Sequence, residues 1–248
     1  MIQLPRSHPL LSSAACMSFC NRVFDLRGHW HRLDPACEAY ALGAASYLAL
    51  GGDAYRARAE GLNPILAGAF ADLYAALFGA LAPALRGAHD GPVVPGPGFA
   101  LPGFQVLLVG DDLADPRGNV AGPHWDWNFL TMPWEPALPD ELELSRFASF
   151  TLPLSLPRAG GGLLVWESVT SVDVDEHAAA RDLRQWEATE ELTCERAGVH
   201  HAYAIGTLVV HSGHVVHQIA PWELAAGDAR VTLQGHALFH QGEWQVYW

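Results

Sequence analysis

The sequence has no lysine. All 14 basic residues are arginine, and the 27 acidic residues outnumber them, which gives a formal net charge of −13. A surface this acidic repels phosphate backbones, so nucleic-acid binding is not expected. Charged residues make up only 17% of the chain and hydrophobic residues 50%, which argues against disorder and favours a globular protein with a sizeable core.

Cysteine is also scarce, and no pair of cysteines has CxxC spacing. Neither a structural zinc site nor a disulfide framework is therefore expected, and free thiols fit a reducing compartment. The first residues lack an apolar stretch of secretory length, so the sequence predicts a cytoplasmic protein. The cysteines are Cys16, Cys20, Cys37 and Cys194.

Long apolar runs are equally rare. Residues 65–85 are apolar and rich in alanine, but Asp72 lies in the middle of this segment and Pro83 would kink it. A buried helix is the expected structure, and no membrane interaction is predicted.

The chain length of 248 residues favours one domain, residues 1–248, in two parts. Residues 34–90 are expected to form two or three supporting helices, beginning at Asp34-Pro35 and broken at Gly51-Gly52 and Asn63-Pro64. The Gly- and Pro-rich residues 91–102 then lead into a β region, because neither a helix nor a central strand tolerates such a composition.

Residues 103–240 have the composition of a β core, with short apolar segments separated by turn residues. Residues 157–162 (PRAGGG) predict a turn that joins two strands as a hairpin. Residues from about 168 to 200 form a helical insertion, either a solvated surface helix or a substrate lid. The fold class is mainly β with N-terminal helices, a sandwich or barrel. The predicted strands are 104–109, 147–156, 163–166, 206–211, 215–219 and 229–239.

His124 and Asp126 flank Trp125. In an extended segment His124 and Asp126 lie on one face, where both can bind a single metal ion. A His-x-Asp pattern is expected roughly once by chance in a chain of this composition, so it is weak evidence alone. A site with two histidines and one carboxylate needs a further histidine from a distant strand.

Three histidines are candidates for that ligand, His211, His214 and His217. His217 is preferred, because it lies at the end of an apolar run and a turn follows at Pro221. His211 and His214 are then expected in the core or beside the ligands, and both stay open as alternatives.

Arg230 begins the apolar strand that follows His217 and a loop. A hairpin would bring Arg230 back toward the metal, with Thr232, Gln234 and His236 on the same face. A buried arginine requires an anion, and its planar guanidinium matches a carboxylate in a bidentate way. The pattern predicts an acidic co-substrate bound by Arg230.

These motifs together resemble the Fe(II)- and 2-oxoglutarate-dependent dioxygenases, in particular members of the prolyl-hydroxylase and phytanoyl-CoA-hydroxylase type. The resemblance covers roughly residues 103–240, including the glycine-rich turn at 160–162 and the strand, His and Pro pattern at 206–221. It implies a double-stranded β-helix, which is a jelly-roll or cupin-like barrel, supported by helices.

The resemblance also implies specific roles. His124, Asp126 and His217 would bind Fe(II), and Arg230, assisted by Thr232, would hold the far carboxylate of 2-oxoglutarate. With O2, such enzymes release succinate and carbon dioxide and hydroxylate an unactivated C–H bond, here expected in a small molecule such as an amino acid or secondary metabolite. Asp126 argues against halogenation, because halogenating members have a small residue at that position.

Tryptophans cluster in the sequence around the proposed metal strands. Trp127 and Trp166 are candidates for a substrate pocket, although tryptophan more often belongs to the core.

Two other functions stay open. A cupin-like oxygenase or isomerase would keep the metal without 2-oxoglutarate, and Arg230 would bind the carboxylate of the substrate itself. A non-enzymatic jelly-roll binding module would use the histidines structurally. No oligomeric state is predicted.

Overall fold

The computed structural model describes residues 5–35, 38–46, 52–86, 89–108, 122–132, 134, 137–138, 144–223, 225 and 227–248. The helices in these residues are α1 (Ser13–Asp25), α2 (Gly52–Ala69), α3 (Ala71–Leu85), α4 (Ser171–Arg181) and α5 (Gln185–Glu195). The strands are β1 (Arg6–Pro9), β2 (His31–Asp34), β3 (Ala39–Leu42), β4 (Val93–Pro95), β5 (Gly103–Leu108), β6 (Phe147–Ser155), β7 (Ala159–Gly160), β8 (Leu163–Thr170), β9 (Val199–His201), β10 (Thr207–Ser212), β11 (Val215–Ile219), β12 (Trp222–Glu223), β13 (Ala229–His240) and β14 (Glu243–Tyr247). The prediction of a mainly β protein with helices is confirmed.

A large sheet contains nine of these strands. Its main path runs β1-β10-β6-β13-β5-β3-β2, and β14 pairs with both β13 and β4. The pairs are antiparallel except for the parallel pair of β14 with β4. The long strand β13 is paired with β6 on one side and β5 on the other, so its side chains lie at the centre of the sheet.

Alternation along these strands gives the large sheet two different faces. One face packs against α1 and α3 in the main hydrophobic core, to which Phe104, Phe150 and Leu233 contribute from the sheet and Phe19 and Leu77 from the helices. The opposite face carries buried polar side chains at the intervening positions, Gln105, Ser149, Thr151, Arg230, Thr232 and His236. Burial of polar groups costs free energy unless they form hydrogen bonds to one another or to a ligand, so a binding site is expected on this face.

A small sheet, β11-β8-β9, lies across a cavity from this polar face. The cavity is lined by Leu163 and His217 from the small sheet and by residues of β5, β6, β10 and β13 from the large one. The chain alternates between the two sheets as it passes from β6 to β8, from β9 to β10, and from β10 through β11 to β13.

The predicted hairpin at residues 157–162 is wrong. β6 pairs with β10 and β13, whereas β8 pairs with β11 and β9, so the turn carries the chain from one sheet to the other. β11 and β13 are likewise not a hairpin, since they belong to different sheets. The turn at 159–160 instead forms a short ladder with β12, in which Gly160 faces Trp222. A local turn signal fixes a change of direction but does not choose the strand partner.

The predicted start of the helical region at Asp34-Pro35 is also wrong, although two of the helices expected within residues 34–90 are present as α2 and α3. Asp34 ends β2, and the next described element is β3, which pairs with β5 and so extends the large sheet. Helix α2 runs through Asn63-Pro64 without a break. The Asn63 side chain donates to the carbonyl of Phe99 and accepts from the amide of Leu101, so it ties α2 to the linker before β5.

The break between helices falls at Phe70 rather than at a proline. Residues 65–85 thus cover the end of α2 and all of α3, and Leu73, Leu77 and Leu81 of α3 are fully buried in the core, as predicted. Within the described residues no single helix is long and apolar enough to cross a membrane. Taken together α2 and α3 would meet that length and composition, but they are bent by 94° at their junction.

The predicted insertion contains two helices, α4 and α5. They contact each other and β8, and their buried residues Val174 and Leu192 form a separate core with Trp166 and Val216 of the small sheet. Cys16, Cys20 and Cys194 are free thiols, and Cys37 lies outside the described residues.

Candidate metal centre

His124, Asp126 and His217 converge at one end of the cavity. One ligand atom from each residue lies within 4.8 Å of the others. Nε2 of His217 is 3.3 Å from Oδ2 of Asp126, and Nε2 of His124 is 3.8 Å from Oδ1. Two imidazole nitrogens and one carboxylate oxygen therefore face a common point.

Backbone pairing brings this cluster together. His124 and His217 form an isolated antiparallel bridge, in which each amide donates to the carbonyl of the other residue at 2.9 and 2.8 Å. Asp126 lies outside any strand, and its amide donates to the carbonyl of Gly213 at 2.8 Å. His124 thus lies in an isolated bridge and Asp126 in a loop, whereas the alternation of residues predicts that both lie in one regular strand.

Hydrogen bonds to backbone carbonyls fix the orientation of both ligand imidazoles. Nδ1 of His124 lies 2.7 Å from the carbonyl oxygen of Gly122, and Nδ1 of His217 lies 2.8 Å from that of Val215. Because a carbonyl only accepts, each Nδ1 carries the proton, and the neutral ring presents the lone pair of Nε2 to the cavity. This is the tautomer that a metal-binding histidine needs.

The electrostatics of the cluster favour a cation. Burial alone would raise the pKa of Asp126, but the neighbouring His217 and His236 hold the pKa of this carboxyl well below its usual range. Burial disfavours a charged His217, yet the Asp126 carboxylate outweighs burial and raises the pKa of His217. Burial lowers the pKa of His124. Asp126 is therefore ionised, and its charge attracts a proton to His217 or, in its place, a metal ion.

The other two candidate histidines lie outside the cluster. His211 is 3% exposed and lines the cavity, with its ring centre 4.6 Å from that of His217. Its Nδ1 is 3.0 Å from the carbonyl of Ser212, and burial lowers the pKa of His211 to about 3, so the ring is neutral. His214 is buried against Phe147, with its Nδ1 2.5 Å from Oγ of Ser212.

Arg230 is 1% exposed and lines the same cavity as the metal cluster. Its Nε donates to the carbonyl of Gly161 at 3.1 Å, and its NH1 donates to Oε1 of Gln105 at 2.9 Å and to Oγ1 of Thr232 at 3.4 Å. Gln234 donates to the same Thr232 hydroxyl at 3.1 Å. Arg230, Thr232 and Gln234 share one face of β13, so the guanidinium is held in place by its neighbours.

The glycine-rich turn supports Arg230 from the other side. Gly160 and Gly161 have φ values of +76° and +73°, in the region that favours glycine. A Cβ on Gly160 would lie 2.0 Å from the carbonyl oxygen of Pro221, and a Cβ on Gly161 would lie 3.6 Å from Cδ of Arg230. Gly160 therefore allows the turn to approach Pro221 and β12 closely, whereas a Cβ on Gly161 would make only an ordinary contact with Arg230.

The cavity has a volume of about 380 Å³. Trp125 lines it, whereas Trp127 and Trp166 are not among its described lining residues. Trp127 packs beside Phe129 and the core near it, and Nε1 of Trp166 donates to the carbonyls of Thr193 and Arg196 on the helical insertion. A tryptophan near a ligand in sequence points toward or away from it according to the local backbone, which sequence spacing does not reveal.

Several lining residues were not singled out from the sequence, among them Gln105, Ser149, Thr151 and Tyr203. Ser149 and Thr151 alternate with buried apolar residues along β6, as Gln105 does on β5. Polar residues at every second position of an otherwise apolar strand were the available signal, because on a buried strand they mark a polar cavity.

No protein-family model matches the sequence, and no curated protein matches it. Solved structures do match. An N-substituted L-amino acid dioxygenase from Burkholderia ambifaria, in complex with α-ketoglutarate, aligns with a TM-score of 0.55 at 13% identity, over 98% of this chain and 85% of that chain. The α-ketoglutarate-dependent carbocyclase SnoK from nogalamycin biosynthesis aligns with a TM-score of 0.48 at 13% identity, over 99% and 92% of the chains. A Pseudomonas putida prolyl-4-hydroxylase aligns with a TM-score of 0.41 at 16% identity, over 96% of this chain and 93% of that chain.

The Burkholderia structure, whose TM-score exceeds 0.5, is a dioxygenase in complex with α-ketoglutarate, which is 2-oxoglutarate, the co-substrate of the family that the sequence motifs resemble. The likeness to the Burkholderia dioxygenase shows that this chain shares its fold, so the predicted resemblance is confirmed at the level of the fold.

Proposed function

We propose that this protein is an Fe(II)- and 2-oxoglutarate-dependent oxygenase that acts on a small molecule. The observation that carries the proposal is that the ligand set of His124, Asp126 and His217 shares one cavity with the buried Arg230. The donor set fits Fe(II), because two neutral imidazoles and one carboxylate on one side of a metal leave positions open on the other.

The strand pairing supports a double-stranded β-helix core over residues 103–240, interrupted by the insertion at about 168–200. The strands β5, β13, β6 and β10 are neighbours in the large sheet, and β11, β8 and β9 are neighbours in the small one. The bridge from His124 to His217 adds the His-x-Asp segment to the edge of the small sheet. Two facing sheets between which the chain alternates are typical of a jelly-roll barrel.

Each described residue then has a defined task. His124, Asp126 and His217 hold the iron, and Arg230 binds the far carboxylate of 2-oxoglutarate while the Thr232 hydroxyl holds its guanidinium in place. The bound iron supplies the chemistry of O2 activation, coupled to conversion of 2-oxoglutarate into succinate and carbon dioxide.

Hydroxylation of an unactivated C–H bond is the proposed outcome, since Asp126 supplies the carboxylate ligand that halogenating relatives of the family lack. A small molecule such as an amino acid or secondary metabolite is the proposed substrate. The amino-acid dioxygenase that shares the fold supports this choice.

The direct test is anaerobic titration of the Fe(II) protein with 2-oxoglutarate. We expect a visible charge-transfer band in the wild type and none in the double variant His124→Ala and His217→Ala, followed in air by release of succinate that depends on both Fe(II) and 2-oxoglutarate. Iron binding without the band would favour a cupin-like enzyme that does not use 2-oxoglutarate. A wild-type protein that retains no metal would favour a non-enzymatic binding module.

Arg230 is tested separately. Arg230→Ala should raise the 2-oxoglutarate concentration needed for the band on the order of 10- to 100-fold, because a charge-assisted contact is lost. Arg230→Lys keeps the charge but loses the planar guanidinium that Gly161 and Gln105 hold in place, so it should fall between wild type and Arg230→Ala. Fe(II) binding should be retained in both. An unchanged requirement for 2-oxoglutarate in Arg230→Ala would remove this residue from the site.

A further inference from the structure

The carboxylate of Asp126 is linked to two further buried side chains. Oγ of Ser149 lies 2.5 Å from Oδ2 of Asp126, and Nδ1 of His236 lies 3.1 Å from the same Oγ. Ser149 is 4% exposed and His236 is 9% exposed, so both contacts lie within the protein interior. The three groups form a continuous chain from β13 through β6 to the candidate metal ligand.

The hydrogen-bond capacities of these groups fix the direction of the chain. The Ser149 hydroxyl has one proton, and the ionised Asp126 carboxylate can only accept. The shorter contact to the charged acceptor therefore takes that proton. The Ser149 oxygen then accepts from the N–H at Nδ1 of His236. The His236 ring is held at the same time by its contact with Tyr247, at 5.4 Å between ring centres.

Ser149 and His236 lie in paired strands, whereas Asp126 lies outside the strands. Ser149 and His236 face each other directly in the register between β6 and β13, at the centre of the large sheet. Asp126 lies in a loop, where its backbone amide donates to the carbonyl of Gly213. A carboxylate on a loop rotates freely about Cβ–Cγ unless one of its oxygens is held.

We propose that Ser149 and His236 are positioning residues for Asp126, which hold its carboxylate in the orientation that the metal requires before the metal binds. The chain of hydrogen bonds connects Asp126, the candidate ligand that lies in a loop, to two paired strands of the large sheet. This inference rests on the metal centre of the proposed function, but on neither 2-oxoglutarate nor O2.

The test is titration of the apoprotein with Co(II) alone, because the d–d absorption of Co(II) reports both affinity and coordination geometry. Ser149→Ala should raise the Co(II) dissociation constant about 10- to 100-fold, the usual effect of removing a hydrogen-bond partner of a metal ligand. Its d–d spectrum should also differ from that of the wild type. Ser149→Thr keeps the hydroxyl and should restore affinity and spectrum.

A matched pair of variants tests His236. Asn places an amide N–H near the position of Nδ1, and Leu has a similar size without a donor. We expect His236→Leu to raise the Co(II) dissociation constant about 3- to 10-fold through loss of one buried hydrogen bond, while His236→Asn stays near the wild type. This pair decides the matter if the Ser149 variants do not fold.

Wild-type affinity and spectrum in both Ser149→Ala and His236→Leu would overturn the positioning role and leave the metal centre intact. Equal weakening in Ser149→Ala and Ser149→Thr would overturn it too, because packing rather than the hydroxyl would then be responsible. If the wild type binds no Co(II), the inference and the proposed metal centre fall together.

Discussion

The backbone conformation of Gly160 and Gly161 sets the path of the turn between the two sheets, which holds Arg230. The carbonyl of Gly161 accepts from Nε of Arg230, so the path of this turn fixes the direction of the guanidinium. Gly160 and Gly161 both have positive φ, and Gly160 also lies directly against Pro221. The three consecutive glycines are therefore a requirement of the tertiary contact, and only secondarily a turn signal.

A comparison of two alanine substitutions separates conformational strain from steric clash. Gly98 has φ +74°, close to the +76° of Gly160, but a Cβ on Gly98 would meet nothing within 4 Å. Gly98→Ala should cost about 1 kcal/mol of unfolding free energy from the left-handed conformation alone. Gly160→Ala should cost roughly 1–3 kcal/mol more, since its Cβ would overlap the backbone of Pro221. Urea denaturation measures both costs, and equal values would contradict the close approach of Gly160 to Pro221.

For single residues of the candidate site, sequence spacing was informative in some cases and not in others. His124 and Asp126 were found from their spacing, and the N–H at Nδ1 of each ligand histidine is fixed by a carbonyl within two residues of it. Ser149 carries only the signal of its alternation with apolar residues along β6, which marks a polar face of the strand but does not reveal its contact with Asp126. Its contact with Asp126 spans 23 residues of sequence and arises from strand pairing.

At the scale of elements, α1 and α3 cover the apolar face of the large sheet and are joined by one ion pair. The two terminal nitrogens of the Arg22 guanidinium, Nη1 and Nη2, each donate to the carboxylate of Asp72 at 2.9 Å. Nη1 also donates to the carbonyl of Ala69 at 2.8 Å. The hydrogen bond from Arg22 is the main cause that lowers the pKa of Asp72. The pair ties the C-terminal turn of α1 to the start of α3.

This pair should make a small, pH-dependent contribution to stability. A double-mutant cycle of Arg22→Ala and Asp72→Ala should give a coupling energy of about 0.5–1 kcal/mol at neutral pH, because both side chains are partly solvated. The folded-state pKa of Asp72 is depressed, so the coupling is complete above the ordinary carboxyl pKa and is lost as pH falls through the lowered one. Cycles measured at about pH 7 and about pH 3 test this, and a coupling that does not shrink at acidic pH would contradict it.

The insertion of α4 and α5 illustrates what element composition predicts. The charge and alanine content of this segment predicted that it is helical, but they did not predict how the helices pack. Together with Trp166 these helices form a core against which Trp125, a residue of the cavity wall, packs. The insertion therefore buttresses the wall beside the metal cluster, a placement that depends on the fold of the whole small sheet.

At the scale of the whole molecule, the metal cluster joins separate parts of the chain. His217 belongs to the small sheet, and the Asp126 carboxylate contacts Ser149 of the large sheet. A metal bound to the native cluster but not to the unfolded chain must stabilise the whole fold, because its binding free energy is added to that of folding.

Metal addition should therefore raise the melting temperature. Mn(II) at about 100 times its dissociation constant should stabilise the protein by about 2.7 kcal/mol, which corresponds to several degrees for a chain of this size. The double substitution of His124→Ala and His217→Ala should abolish the shift. His200→Ala, which removes an exposed histidine outside the described cavity wall, should keep it. A shift that persists in the double variant would place the bound metal elsewhere.

The sequence by itself predicted most strands of the β core, and it singled out His124, Asp126 and Arg230 as candidate site residues, with His217 preferred over His211 and His214. These follow from local periodicity and spacing, which act over a few residues of chain. Only the tertiary structure decided which strands pair, that the 157–162 turn crosses between sheets, and that β2 and β3 extend the large sheet where a helix was predicted from Asp34 onward. Strand partners are chosen by burial and hydrogen bonding between distant segments. For the same reason only the fold could place His217 rather than His211 or His214 beside Asp126, with Ser149 behind it.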